Sequence, residues 1–177
     1  MVFDRKAVFF CSACSGIDEK YNRAAREVVR AACSKGYGIV SGGSFRGTMA
    51  VVEDTALECG APNVGVLPRF MQGFQHPHLT ELVWTDTMAQ RKEKMREGTS
   101  LAVALPGGVG TMDELIETLT LAKLGKYDGK IVAMNIDGFY EPLKALLNHF
   151  LKEGMVDEHT LTLISFPETV EEFASLI

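Results

Sequence analysis

Apolar runs of strand length alternate with amphipathic segments of helical period along nearly the whole chain. The apolar runs predict strands at residues 6–11, 37–40, 63–67, 81–85, 100–105, 130–136 and 161–166. The amphipathic segments predict helices at residues 18–35, 48–59, 86–96, about 111–124, 140–153 and 168–177. Because the strands are near-continuous apolar runs, the pattern predicts an α/β fold with a mostly parallel sheet of about seven strands, covered by helices on both faces. No linker or low-complexity stretch divides the chain, so residues 1–177 are predicted to form a single domain.

Two of the predicted strands run directly into glycine-rich turns, each of which opens a helix. The turns occupy residues 41–48 and 105–114, and they read SGGSFRGT and LPGGVGTMDE. Glycine permits a positive φ and lets a ligand approach the backbone closely. The first N–H groups of a helix lack intrahelical partners and lie at its positive end. The second turn is therefore predicted to bind an anion such as phosphate, at the sheet edge where open α/β folds bind ligands.

Acidic side chains begin the helix that follows this second turn. Asp113 and Glu114 lie just inside it, and Glu117 follows about one turn later on the Glu114 face. Two interpretations of Glu114 remain open at this point. Thr111 and Glu114 have the spacing of a capping box, in which the acid only closes the helix start. Alternatively, a carboxylate beside an anion site acts chemically on the ligand, and Thr111 caps the helix, binds phosphate, or does both.

The helix at residues 86–96 carries an arginine where an apolar residue is expected. Thr87 and Gln90 fit a capping box at its start. Met88, Arg91 and Met95 then fall on one face at i, i+3 and i+7. The residues alone leave Arg91 open between a solvated surface arginine and a functional group that faces inwards.

Other potential metal or redox groups carry weaker signals. Cys11 and Cys14 form a C-x-x-C pair at the end of the first strand, but no second pair with zinc spacing exists. Small residues lining a strand end in a reducing compartment are favoured over a redox pair. His76 and His78 flank a proline in an irregular stretch, residues 68–80, which is predicted to be a lid or binding loop. An exposed histidine pair is favoured there, so no metal is predicted.

Charge and hydropathy narrow the possible partners. The net charge of −5 argues against a general nucleic-acid binder. No apolar run reaches the roughly 18 residues of a membrane span, and the run at residues 7–11 is too short for the core of a signal peptide. The prediction is a cytoplasmic protein that acts on a small molecule, with neither nucleic acid nor membrane as partner.

Residues 106–114 resemble the PGGxGTxxE signature of the Lonely Guy family of cytokinin riboside 5′-monophosphate phosphoribohydrolases, long described as possible lysine decarboxylases. The resemblance covers nearly the whole chain, including residues 11–16, 41–48, 86–95 and 132–154. No G-x-x-x-x-G-K-[ST] or G-x-G-x-x-G fingerprint is present, which disfavours a P-loop hydrolase and a dehydrogenase.

The resemblance implies a modified Rossmann-like three-layer fold, a homodimer, and hydrolysis of the N-glycosidic bond of adenine-type nucleoside 5′-monophosphates. The products would be the free base and ribose 5-phosphate, and no metal or organic cofactor is implied. Carried over by motif, the catalytic pair is Arg91 and Glu114. The substrate-binding residues implied are Ser41, Gly42, Gly43, Met88, Arg91, Lys92, Gly107, Gly108, Gly110, Thr111 and Glu117. Among these, the glycines of the second turn and Thr111 would hold the phosphate, Met88 would contact the base, and Glu117 would lie near the ribose.

Departures from the family pattern leave the base open between prenylated adenine and plain AMP. Ala89 and Gln90 stand where the family often has a histidine and an acid, and Cys14 stands where serine is common. Arg46 adds a cation to the first glycine turn. The alternative function is a non-catalytic carrier of a nucleotide or of molybdenum cofactor, which the presence of both Arg91 and Glu114 disfavours.

Overall fold

The strands form a single parallel sheet in the computed structural model, which describes residues 2–177. Within those residues the strands are β1 (Arg5–Phe10), β2 (Tyr37–Ser41), β3 (Asn63–Pro68), β4 (Glu81–Thr85), β5 (Leu101–Ala104), β6 (Lys130–Ala133) and β7 (Ile164–Ser165). The α-helices are α1 (Glu19–Ser34), α2 (Gly47–Glu58), α3 (Met88–Arg96), α4 (Val109–Lys123), α5 (Glu141–Lys152), α6 (Glu158–Thr162) and α7 (Val170–Leu176). Two short 3₁₀ turns, Arg69–Met71 and Ile136–Gly138, lie in loops.

The strand order is β4-β3-β2-β1-β5-β6-β7, and every neighbouring pair is parallel. The predicted parallel sheet is therefore confirmed. The chain winds outwards in one direction from β1 to β4 and in the other from β5 to β7. The crevice at the carboxyl ends of β1 and β5 is thus the switch point at which open α/β sheets bind ligands.

Successive residues of β1 point into two different cores, one on each face of the sheet. Ala7 and Phe9 pack with buried side chains of α1, α2 and α7, whereas Val8 and Phe10 pack with α3, α4 and α5. All four side chains are almost fully inaccessible to solvent. Burial on both faces explains why the strand is apolar throughout, and it gives the predicted three-layer architecture.

The C-terminal third differs from the prediction in two places. The strand predicted at residues 161–166 is wrong at its start, because α6 occupies Glu158–Thr162 and only Ile164–Ser165 pairs with β6. Asp157 favours the helix, since its carboxylate accepts a hydrogen bond from Thr160 N at 2.8 Å. The strand predicted at 130–136 ends at Ala133, and a 3₁₀ turn follows in which Asp137 has a φ of 53°.

The irregular stretch at residues 68–80 is tied to the first glycine turn. Gln75 forms an isolated bridge with Ser44, and Phe45 N donates to Phe74 O at 3.0 Å. Among residues 2–177, no helix combines the length and apolar character needed to cross a bilayer.

Candidate active site

Three turns meet at the carboxyl ends of β1, β2 and β5. The turn after β2 packs directly onto the end of β1, because Met49 N donates to Ser12 O at 3.2 Å. A Cβ at Gly47 would lie 2.6 Å from Cys14 O, so only glycine fits there. The turn after β5 is held from the α5 side, where the Tyr140 hydroxyl donates to Leu105 O at 2.8 Å.

The glycines play different roles in the two turns. Gly43 and Gly47 have φ values of 67° and 56°, as the glycine pattern predicts. The glycines of the PGGVG turn do not have positive φ, so the prediction is wrong for that turn. Gly107 is required instead by close packing, because a Cβ there would lie 2.2 Å from Thr111 Oγ1. Cβ positions at Gly108 and Gly110 meet no atom within 4 Å, which leaves open space over the turn.

The helix after β5 begins earlier than predicted and has no side-chain cap. Gly108 is the N-cap residue of α4, and Met112 N donates to Gly108 O at 3.0 Å. The capping-box interpretation of Thr111 and Glu114 is therefore wrong, since both residues lie inside the helix. The N–H groups of the first turn, at Val109, Gly110 and Thr111, precede the intrahelical hydrogen bonds and lie at the positive end of the helix dipole.

Arg91 and Glu114 form a buried ion pair between α3 and α4. Arg91 Nη1 donates to Glu114 Oε1 at 2.8 Å, and Arg91 Nε donates to Val66 O at 2.9 Å. The residues are 5% and 4% exposed, so the interpretation of Arg91 as a solvated arginine is wrong. The helix that carries Arg91 has the predicted cap, with Thr87 Oγ1 accepting from Gln90 N at 3.2 Å, and it begins at Met88, two residues later than predicted.

Electrostatics of the pair follow from its burial. Loss of solvent raises the pKa of Glu114 above its ordinary value, and the neighbouring Arg91 guanidinium opposes that rise. Removing two charges from water is costly, and the pair is tolerated because each charge has a partner in hydrogen-bonding geometry. The arrangement therefore keeps the acidic side chain of Glu114 almost entirely out of contact with solvent.

The pair lines a cavity of about 290 Å³ above the carboxyl ends of the strands. Of the residues predicted for the site, the cavity brings together Met88, Arg91, Gly108, Gly110, Thr111 and Glu114. The cavity is also lined by residues that the sequence analysis did not assign to the site, which are Cys11, Ser12, Ala13, Cys14, Met49, Met71, Val109 and Asp113. Ser12 could have been assigned to the site from its position at the end of the central strand. Met71 could not, because it lies in the irregular stretch, whose path does not follow from the sequence pattern.

The other predicted residues lie around the cavity and do not line it. Ser41 and Gly43 are buried, and Gly42 contacts Arg91 directly, since a Cβ there would lie 2.1 Å from Arg91 Nη2. Gly107 lines an adjacent cavity of about 240 Å³ that shares Gly108 with the first.

Lys92 and Glu117 belong to an ion-pair cluster between α3 and α4. Lys92 Nζ lies 2.8 Å from Glu117 and 2.9 Å from Asp113, and Arg96 Nη1 lies 3.2 Å from Glu117. Partial burial raises the pKa of Glu117, but hydrogen bonds from Lys92 and Arg96 outweigh it and lower that pKa. The cluster is partly exposed and links the helices that carry the buried pair.

The two cysteines of the C-x-x-C pair differ in burial, and so do the two histidines. Cys11 is buried, and that burial raises the pKa of its thiol well above the ordinary value, whereas Cys14 is exposed. Exposure was the favoured interpretation for both histidines, but it is wrong for His76, which is buried with Nε2 3.1 Å from Asp54. His78 is exposed. Within residues 2–177, no group of three or more His, Cys, Asp or Glu side chains has the geometry to hold a metal ion.

Comparisons with a family model and with known proteins point to the same family. A family model described as possible lysine decarboxylase matches residues 49–177. A cytokinin riboside 5′-monophosphate phosphoribohydrolase of Rhodococcoides fascians is 33% identical over 170 residues, which cover 94% of this chain and 86% of that protein. A protein of the same name from Mycobacterium tuberculosis is 33% identical over 171 residues, covering 96% of this chain and 91% of that protein.

Among solved structures, the molybdenum cofactor binding protein of Rippkaea orientalis matches with a TM-score of 0.74 and 16% identity. The match covers 97% of this chain and 94% of that one. At this level of identity the likeness establishes the fold alone.

Proposed function

The chain belongs to the family described as possible lysine decarboxylases, the Lonely Guy family, and we propose that it hydrolyses the N-glycosidic bond of adenine-type nucleoside 5′-monophosphates. The products are the free base and ribose 5-phosphate. The observation that carries the proposal is the buried Arg91–Glu114 pair beside an uncapped helix N-terminus in one cavity.

The start of α4 binds the 5′-phosphate in this proposal. The uncapped N–H groups and the open space over Gly108 and Gly110 suit an anion. Thr111 lines the same cavity and supplies a hydroxyl. Binding at the phosphate, away from the reacting bond, fixes the ribose over the buried pair and contributes to catalysis through orientation.

Glu114 acts at the ribose. Breaking the bond between C1′ and the base nitrogen leaves positive charge on the sugar, as in O-glycoside hydrolysis. A carboxylate in a water-poor cavity stabilises that charge strongly. Water then adds its hydroxyl to C1′, and its proton balances the electron pair that leaves with the base. Arg91 opposes the rise in the pKa of Glu114 that burial causes, and its hydrogen bond orients the carboxyl group towards the sugar.

The base contacts a methionine-lined part of the cavity. Met49, Met71 and Met88 are contributed by α2, the irregular stretch and α3. Thioether side chains are polarisable and adapt to different apolar shapes. This lining is compatible with adenine and with adenine that carries an apolar substituent, so AMP is the first test compound and an isopentenyl derivative the second.

Base release from AMP is the direct test. The protein is incubated with AMP, and adenine and ribose 5-phosphate are measured by chromatography, with the Glu114→Gln variant as control. Release by the wild type and loss in the variant would support the proposal. Tight AMP binding without base release from either nucleotide would favour the alternative, a non-catalytic nucleotide or cofactor carrier.

We also infer that the protein assembles as a homodimer, as the family resemblance implies. Support comes from α4, where Val109, at the edge of the cavity, is 88% exposed and Ile116 is 38% exposed. Exposed apolar side chains at helical spacing favour association. Light scattering coupled to size exclusion measures the mass, and a monomer across micromolar concentrations would contradict the inference.

A further inference from the structure

Glu53 is a buried acid that the proposed mechanism does not use. It lies on α2 with no exposed surface, and within residues 2–177 its Oε2 is the one buried side-chain nitrogen or oxygen without a hydrogen-bond partner. Burial raises the pKa of this carboxyl to about 7, although the Ser41 hydroxyl and the nearby Asn63 amide oppose the rise. An unpartnered buried polar atom destabilises a fold, so its presence calls for a compensating role.

The contacts of Glu53 lead into the glycine turn after β2. Ser41 Oγ donates to Glu53 Oε1, and the same Oγ accepts from Gly43 N at 2.9 Å. Gly43 has a φ of 67°, which glycine adopts readily but exchanges easily for other conformations, so hydrogen bonds are needed to fix it. On its other side, Gly43 O accepts from His76 N at 2.7 Å, and the His76 ring contacts Asp54, which follows Glu53 on α2. Two consecutive residues of α2 therefore reach this turn through intermediaries, Glu53 through Ser41 and Asp54 through His76.

The glycine turn after β2 lies against Arg91. The Gly42 backbone approaches the guanidinium so closely that a Cβ would lie 2.1 Å from Nη2. The other guanidinium nitrogens are fixed by Val66 O and by Glu114. Arg91 is thus held from three directions, and the turn supplies the third.

We propose that Glu53 is a positioning residue for the reaction: through Ser41 it holds the Gly42–Gly43 turn against Arg91 and so fixes the guanidinium relative to Glu114. This proposal rests on the proposed function. If the turn loosens, Arg91 Nη2 loses the backbone surface against which it packs. The Arg91–Glu114 pair then adopts a wider range of orientations. The phosphate-binding start of α4 is separate from this relay, so the defect falls on turnover and not on nucleotide binding.

Two substitutions at Glu53 separate positioning from mere packing. Glu53→Gln keeps an oxygen that accepts from Ser41, whereas Glu53→Met fills a similar volume without an acceptor. Thr55→Val is the matched control, because Thr55 is 1% exposed on the same helix and its hydroxyl bonds only within that helix, to Val51 O at 2.7 Å. With AMP as substrate, Glu53→Met is expected to lower kcat about tenfold with KM within about twofold, and Glu53→Gln and Thr55→Val to stay near wild type.

Ser41→Ala tests the same relay from the turn. Because Ser41 and Glu53 act as one unit, the double variant Ser41→Ala/Glu53→Met is expected to lose no more kcat than Ser41→Ala alone. Additive losses in the double variant would overturn the relay. Wild-type kcat in Glu53→Met would also overturn the relay. Equal losses of kcat in Glu53→Met and Thr55→Val would overturn it too, and so would equal losses in Glu53→Met and Glu53→Gln.

A second measurement distinguishes failure of this proposal from failure of the proposed function. The ¹⁵N–¹H resonance of Arg91 Nε reports how firmly the guanidinium is held, whether or not the protein releases base. Glu53→Met is expected to shift that resonance and speed its exchange with solvent, and Thr55→Val to leave it unchanged. An unaltered resonance in correctly folded Glu53→Met would overturn the proposal, even if AMP is not the substrate.

Discussion

Arg91 Nη1 lies 2.8 Å from Glu114 Oε1, and the two buried side chains come from different helices that pack on the same face of the sheet. A second contact, from Arg91 Nε to Val66 O in β3, ties the pair to the sheet. The pair thus depends on the relative placement of α3, α4 and β3. Rigid support of this kind is what a reacting carboxylate requires for preorganised charge stabilisation.

Replacing Glu114 by glutamine is expected to lower kcat for AMP by about 10²–10⁴-fold with little change in AMP affinity. The amide retains an oxygen that accepts from Arg91, so that hydrogen bond and the phosphate turn are kept while the negative charge is lost. Glu97→Gln is a suitable control, because Glu97 is an exposed acid that pairs with Lys94 at the end of α3. Steady-state kinetics and calorimetric AMP binding check the prediction, and wild-type kcat in Glu114→Gln would return that residue to a structural role.

Alanine at two neighbouring glycines is expected to separate packing from ligand binding. Gly107→Ala forces its Cβ against Thr111 and should reduce the free energy of unfolding by about 1–3 kcal/mol. Gly108→Ala meets no protein atom, so stability is retained while the methyl group occupies the space proposed for phosphate. We expect its KM for AMP, and the inhibition constant of inorganic phosphate, to rise about tenfold. Unchanged phosphate inhibition in Gly108→Ala would place the anion elsewhere.

The strand pattern was predictable because burial on both faces makes parallel strands continuous apolar runs, as β1 and β5 illustrate. The short β7 was not, because Asp157 starts a helix in a segment whose apolar residues also suit a strand. Local capping chemistry decided between two patterns that hydrophobicity alone does not separate.

Within the site, too, some features follow from the spacing of residues in the sequence and others depend on tertiary packing. The spacing of Met88, Arg91 and Met95 placed Arg91 on a shared helix face, but its partner Glu114 lies 23 positions later and is reached only through the sheet. Glu53 gave no sequence motif, and its burial depends on the packing of α2 against β2 and β3. Thr111 and Glu114 matched a capping box by spacing, yet the helix starts before both residues.

Stability is expected to depend on pH through Glu53. Its pKa of about 7 in the folded protein exceeds its ordinary value of 4.5, so the folded state holds more protons than the unfolded state between those pH values. Stability contributed by the neutral carboxyl is therefore present below about pH 4.5 and is lost as the pH rises towards 7, with a total of about 3 kcal/mol. Urea unfolding at pH 5 and pH 7 checks this, with Glu53→Gln as the comparison. Glu114, whose pKa is also raised, contributes equally to both proteins and cancels in the difference. An equal pH dependence in the two proteins would contradict the prediction.

Removing one partner of the buried pair is expected to cost more than removing both. Arg91→Met leaves Glu114 buried without its counter-charge and should lower the free energy of unfolding by about 3–5 kcal/mol. Arg91→Met/Glu114→Met replaces both charges by apolar side chains of similar length, and we expect most of that loss to be recovered. Activity should not return with stability, because the carboxylate proposed to act at the ribose is absent. Urea denaturation and AMP turnover measured on the same preparations check both parts. A double variant as unstable as Arg91→Met would mean that the cost arises from the lost contact with Val66 O and not from the unpaired charge, and a double variant that releases adenine would remove the pair from the reaction.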